Sequence, residues 1–226
     1  MLADFVNKRG GGLLMLGGRR SFVEGGWAGT PVAEVLPVVL DASGRQTAYF
    51  SELSARPTRA GALFPVIQIA DNEEDSENKW SDMPDVSAVN PIRQVKPGAT
   101  VLLEGNDSRR NNQIVLAYQR YGRGKALAMP IQDSWLWKMD AKVAVEDMTH
   151  SLFWRRLTRW LVDGVPDQVN LTTNHDRVEP GEQVKLIAEI LDKAYVEVND
   201  AHVETRVTSP SGKTVDVPPH SLARTR

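Results

Sequence analysis

Cysteine is absent from the 226 residues, which excludes a disulfide framework, a thiolate metal site and a cysteine nucleophile. Charge of one sign is lacking too: 27 Lys+Arg stand against 29 Asp+Glu, a formal balance of −2. Neither nucleic-acid phosphate nor an anionic lipid surface has a basic surplus to act on, so no nucleic-acid partner is expected. No run approaches the ~18 apolar residues of a membrane-spanning helix. Met1-Leu2-Ala3-Asp4-Phe5 lacks the basic-then-apolar order of a signal peptide. The segment therefore reads as soluble. Histidine is scarce, and its four positions, His150, His175, His202 and His220, match no His-Glu-x-x-His spacing. Neither a metal nor a cofactor is expected. What is present is 41% hydrophobic residues over 226 positions, which at ~100 to 200 residues per domain makes one large domain or two smaller ones.

Leu2, Phe5 and Val6 recur at helical spacing until Lys8-Arg9-Gly10, where cations and glycine end a helix. Leu13-Leu14-Met15-Leu16 is a continuous apolar run between glycine clusters, the pattern of a strand buried on both faces in a parallel sheet. Eight of the 17 glycines lie between Gly10 and Gly29, so a shaped loop follows that strand. Thr30-Pro31 with Glu34 starts a helix. Between about 37 and 100, Val38-Val39-Leu40, Thr47-Ala48-Tyr49-Phe50 and Phe64 to Ile69 read as short extended or hairpin segments. Asp71 to Glu77, with five acids in seven residues, reads as a solvated loop without the spaced ligands and turn glycine of a calcium loop.

Further strands are expected at Val101 to Glu104 and Ile114 to Tyr118, joined by a polar Asn106-to-Asn112 turn. Gly122-Arg123-Gly124-Lys125 then leads tightly into Ala126 to Met129. Thr149 to Asp163 is an amphipathic helix, with Leu152, Phe153, Leu157, Trp160 and Leu161 on one side, ended by Gly164. Beyond Pro166 the pattern changes to alternation at Val184 to Ile190, Val203 to Val207 and Thr214 to Val217, with turns at Glu179-Pro180-Gly181 and Ser209 to Gly212. These 60 or so residues, against the ~100 of a full immunoglobulin-type fold, predict part of a β-sandwich.

The chemistry-bearing motifs are sparse. Gly17-Gly18-Arg19-Arg20-Ser21 follows a buried-type strand, where backbone N–H groups can face an anion. It lacks both Gly-Lys-Ser/Thr and Gly-x-Gly-x-x-Gly, and a structural glycine turn with exposed arginines is the plainer reading. Ser21 is outside any Gly-x-Ser-x-Gly. Gln132-Asp133, followed by Ser134-Trp135-Leu136-Trp137, comes after another buried-type strand, the usual end for ligands in α/β folds. Its tryptophans read as core or interface, and His150 as a capping or packing residue. Asn106-Asp107-Ser108 and Asn170-Leu171-Thr172 match glycosylation sequons, which arise readily by chance.

Taken in order, several pieces resemble a family: Phe5-Val6, Gly10 to Gly18, Ser21-Phe22, Gly25-Gly26-Trp27, Gly29-Thr30-Pro31, Leu36-Pro37-Val38, Trp80 to Pro84, Lys96 to Leu103, Gly122 to Ala128, Asp133 to Trp137 and Phe153 to Leu157. The family is the glutamine amidotransferase-like domain of large bacterial membrane proteins that also carry a von Willebrand factor A domain. Tyr195 to Ala201 with Ser209 to Gly212 is similar to the immunoglobulin-like or macroglobulin-like β-domains that envelope proteins append. The resemblance implies a flavodoxin-like α/β sheet over 1–166, with a β-rich insertion at about 37–100, and a partial immunoglobulin-like domain over 167–226. It also implies a cell-envelope address, on the extracytoplasmic side. Amidotransferases place a cysteine after the strand that resembles Leu13 to Leu16 and a histidine after the one that resembles Ala126 to Met129. This chain offers Gly17, Gly18 and Arg19, then Gln132 and Asp133, so no thioester can form.

Relatives would have βα units before the helix ending at Asn7. Leu13 to Leu16 is therefore expected to border open space or a partner chain, and the sequence to be a fragment. Two functions follow. One is a non-catalytic binding or scaffold module whose partners are proteins or other domains of a larger chain. The other is an enzyme or receptor for a small ligand or anion, using Gly17, Gly18, Arg19, Arg20, Ser21, Gln132 and Asp133. A third reading treats Trp27, Trp135 and Trp137 as a protein-binding surface.

Overall fold

The computed structural model describes residues 1–41, 49–106, 111–164, 169–173, 177, 179, 181–192, 198 and 201–217. The chain divides into two units, Met1–Val165 and Pro166–Arg226.

The first unit is mixed α/β. It opens with α1 (Leu2–Asn7), β1 (Gly12–Leu16) and α2 (Pro31–Val35), continues through β2 (Tyr49–Leu53), β3 (Arg56–Pro57), α3 (Arg59–Ala62), α4 (Glu73–Asp82) and β4 (Val86–Val89), and closes with β5 (Thr100–Asn106), β6 (Asn112–Tyr121), β7 (Gly124–Met129), α5 (Leu136–Met139) and α6 (Thr149–Val162). The main sheet has the order β1-β7-β6-β5-β3. Only β1 and β7 run parallel, from Gly12 opposite Lys125 to Leu16 opposite Met129. The remaining neighbours are antiparallel. β2 and β4 form a separate antiparallel pair, and β4 meets the segment after β7 at a Val89–Ile131 bridge.

Alternation along β7 explains why the sheet has two covered faces. Leu127 and Met129 pack with Phe153 and Leu157 of α6, whereas Ala128 packs with Val32 and Leu36 at α2. Three buried rings, Trp80, Trp137 and Phe153, meet edge to face at centroid distances of 5.4, 5.7 and 5.5 Å. That is the geometry in which a ring's positive edge faces a negative face. The indole N–H of Trp80 donates to the Ile67 carbonyl at 2.8 Å, whereas the buried indole N–H of Trp137 has no hydrogen-bond partner among the described residues.

Residues 71–77, read as a loop, begin α4. The Asn72 side chain accepts from Asp75 N at 2.8 Å, and Glu73, Glu74 and Asp75 occupy the first helical turn. Negative charge there complements the helix dipole, so the acidic run is a helix start. Phe64 to Ile69, read as a strand, is a succession of turns in which Phe64 N donates to Gly61 O and Gln68 N to Phe64 O. Its apolar character serves burial: Val66, Ile67 and Ile69 all lie in the core. Val38 to Leu40 makes one bridge, Val38 to Val95, and no strand. The other expected elements appear within a few residues of their sequence bounds. Thr47-Ala48, most of the Asn106-to-Asn112 turn with its sequon, Pro166, Pro180, His175, His220 and most of Tyr195 to Ala201 lie outside the described residues.

The second unit contains β8 (Val169–Thr173) paired with β9 (Leu186–Ile190), and β10 (Thr205–Thr208) paired with β11 (Thr214–Val217). Both pairs are antiparallel two-stranded sheets. No helix among the described residues is long and apolar enough to cross a membrane.

Candidate functional site

Parallel strands bring their C-terminal ends to the same side, which is where α/β folds place ligands. Here the ends of β1 and β7 carry Gly17-Gly18 and Pro130 to Asp133, tied together by Gly17 N donating to Met129 O at 2.8 Å. A side chain at position 17 has no room, because its Cβ would stand 2.5 Å from the Ile131 carbonyl oxygen. Glycine at this point is a packing requirement.

Asn90, 2% exposed at the end of β4, is the hub of this region. Its Nδ2 donates to Gly18 O at 3.0 Å and to Glu24 Oε2 at 3.2 Å. Its Oδ1 accepts from Gly18 N at 2.9 Å and, more loosely, from Gln132 Nε2 at 3.4 Å. The two bonds to Gly18 imitate a β-ladder step made by a side chain. Asn90 N also donates to Pro130 O, and Gln132 N to Ala88 O, so the chain after β7 is stitched to β4.

Asp133, 6% exposed, completes the stitching. One carboxylate oxygen, Oδ2, accepts from Ser87 N at 2.7 Å, Ser87 Oγ at 2.7 Å and Ala88 N at 3.1 Å. A buried carboxylate without a cation is tolerated only when hydrogen bonds replace its hydration, as these three do. Oδ1 is buried and accepts no hydrogen bond among the described residues.

The structure thus brings Gly17, Gly18, Gln132 and Asp133 into one hydrogen-bonded cluster. Arg19 and Arg20 stand outside it, exposed and without an ion pair among the described residues. Ser21 is half-buried and reaches the cluster through its backbone, Ser21 N donating to Gly18 O at 3.2 Å. Phe22 has a φ of 53° and a side chain that is almost completely buried. A left-handed conformation at a bulky residue is held by the packing around it.

Sequence reasoning missed Ser87, Asn90 and Glu24. The signal available for Asn90 was a polar residue set between Val89 and Pro91-Ile92. Of the three tryptophans read as a surface, Trp137 is core, Trp27 half-buried and Trp135 exposed. His150 lies in the first turn of α6, its ring 6.4 Å from that of Trp154. Burial, and next the charge of Lys138, hold its pKa below the ordinary value. No three His, Asp or Glu side chains among the described residues are placed to hold a metal ion. An open groove of about 440 Å³ between α4 and α6, lined by Asp71, Asp75, Asp82, Lys79 and Arg156 among others, includes none of the sequence-predicted site residues.

Neither a family model nor a curated protein matches the sequence. Two solved structures of cytoplasmic proteins, from Salmonella typhimurium and from its strain LT2, share the fold. The first is 22% identical with a TM-score of 0.52 and covers 71% of this chain and 58% of its own. The second is 23% identical with a TM-score of 0.53 and covers 72% and 59%. The chain therefore spans about three fifths of the length of each.

Proposed function

We propose that residues 1–165 are a non-catalytic amidotransferase-like module with a flavodoxin-like sheet, serving as a binding or scaffold unit of a larger bacterial cell-envelope protein that also carries a von Willebrand factor A domain. Residues 166–226 are, on this reading, part of an immunoglobulin-like β-domain. The envelope address rests on the resemblance alone, and the two Salmonella proteins of like fold are cytoplasmic ones.

One observation carries the reading. At the ends of the parallel strands, where the resemblance calls for a cysteine and a histidine, stand Gly17-Gly18 and Gln132-Asp133; Asn90 bonds the N–H and C=O of Gly18, and Ser87 and Ala88 donate to Oδ2 of Asp133. Nothing there is a thiolate, and the side chain a nucleophile needs cannot be built at position 17. Purified protein incubated with glutamine is expected to release no ammonia above the protein-free control. Ammonia release that disappears in Asp133→Ala would overturn the reading.

The alternative, a small-ligand or anion site, draws on the exposed Arg19 and Arg20 beside the Gly17-Gly18 turn, which make no ion pair among the described residues. Saturable binding of inorganic phosphate, lost in Arg19→Ala/Arg20→Ala, is the result that would favour it.

A further inference from the structure

Helices α4 and α6 cover the same face of the main sheet. Trp80 of one and Phe153 of the other meet in a shared core, their ring centroids 5.7 Å apart. The residues each helix buries recur four apart, Ser76 and Trp80 in α4 and Thr149, Phe153 and Leu157 in α6. The opposite side of each helix is therefore turned outward, and the open groove of about 440 Å³ runs between the two.

These outward sides carry opposite charge. Helix α4 holds five acids against one lysine, and all five acids are exposed. Helix α6 holds three arginines and no acid. Arg155 and Arg159, one turn apart, are exposed, and Arg156 lines the groove together with Asp75 and Asp82. Although both signs border one groove, none of the three arginines and none of the α4 acids makes an ion pair among the described residues. A single copy thus presents a negative and a positive half side by side, neither neutralised by the other. Val162, 63% exposed and three residues beyond Arg159, adds an apolar side chain to the positive half.

We infer that this face is where two copies of the chain meet, around a two-fold axis running along the groove, so that α4 of each copy lies over α6 of the other. A two-fold contact presents the same surface twice, so a face of one sign repels itself, whereas a face divided into two signs matches itself when turned over. The axis along the groove is the one that exchanges the halves. An axis across it sets acid on acid and arginine on arginine, which opposes association. The same division argues for a second copy over a partner of one sign: a polyanion or a basic peptide is drawn to one half and repelled by the other. With a formal charge of only −2 over the whole chain, long-range repulsion between copies is small. The inference is independent of the functional reading above.

Sedimentation of the full chain tests it, at up to about 1 mM to reach weak association and in about 20 mM and 500 mM salt to vary the screening. Expected is a monomer–dimer equilibrium that weakens at least about tenfold at the higher salt. Two charge reversals at exposed positions, Arg155→Glu/Arg159→Glu and Glu74→Lys/Asp82→Lys, are each expected to weaken self-association at least about tenfold. An equimolar mixture of the two variants is expected to dimerise again, because each half then meets its opposite, and that recovery also shows both variants to be folded. A monomer throughout at low salt overturns the inference, as does a dimer indifferent to salt or to either reversal. Variants that stay monomeric when mixed, or association that continues past the dimer, overturn it too.

Discussion

His150 illustrates how a single residue's surroundings set a pH response. Its folded-state pKa is lowered by burial and, second, by Lys138 from the ordinary 6.5. The unfolded chain then takes up the proton first as pH falls, so stability is full above the unfolded value and is lost as pH drops through 6.5 toward the folded value. Chemical denaturation between pH 7 and 5 is expected to show this slope in the wild type and a flatter one in His150→Gln. An unchanged slope would mean that His150 is as solvated folded as unfolded. The local sequence around His150 named a helix start, but not that the imidazole would be half-buried against Trp154 and near a lysine; that follows from where α5 and α6 meet.

At the scale of elements, legibility followed the strength of the periodic signal. The α6 helix and β7 could be read because their apolar residues repeat at 3.6 and in a continuous run, and each packs as its pattern requires. The α4 helix could not, because only Trp80 and Ser76 of its ten residues are buried, too few to mark a face. Its start was written in cap chemistry instead, Asn72 followed by three acids. The end of α6 depends on a residue from another element: Lys125 Nζ donates to the carbonyls of Trp160 and Asp163 at 2.9 and 2.8 Å and stands 4.4 Å from the Trp160 ring centroid. A cation on the last carbonyls complements the helix dipole. Lys125→Ala is expected to cost about 1 kcal/mol in urea unfolding and to speed amide exchange in the last turn of α6. No change in either would show the ammonium to be idle.

For the whole molecule, the sequence indicated which strand ends carry the candidate site, yet it could not say how those ends are occupied. Gly17, Gly18, Gln132 and Asp133 were singled out because they follow buried-type strands. What holds them, Asn90 and Ser87, comes from β4, some seventy residues from Gly18 and more than forty from Asp133. No local pattern links such positions. Leu13 to Leu16 was expected to border open space or a partner chain, and among the described residues β1 is outermost in its sheet.

The central proposal is that the buried polar groups at the ends of β1 and β7 hold the protein together and do not serve a reaction. Residues kept for chemistry commonly cost stability, so removing them leaves a fold as stable or more so. Equilibrium urea unfolding of the wild type beside Asp133→Ala therefore decides the matter. Loss of the carboxylate strands two backbone N–H groups and a hydroxyl and is predicted to lower the unfolding free energy by about 2 to 4 kcal/mol; a variant as stable as the wild type, or more stable, would contradict the account.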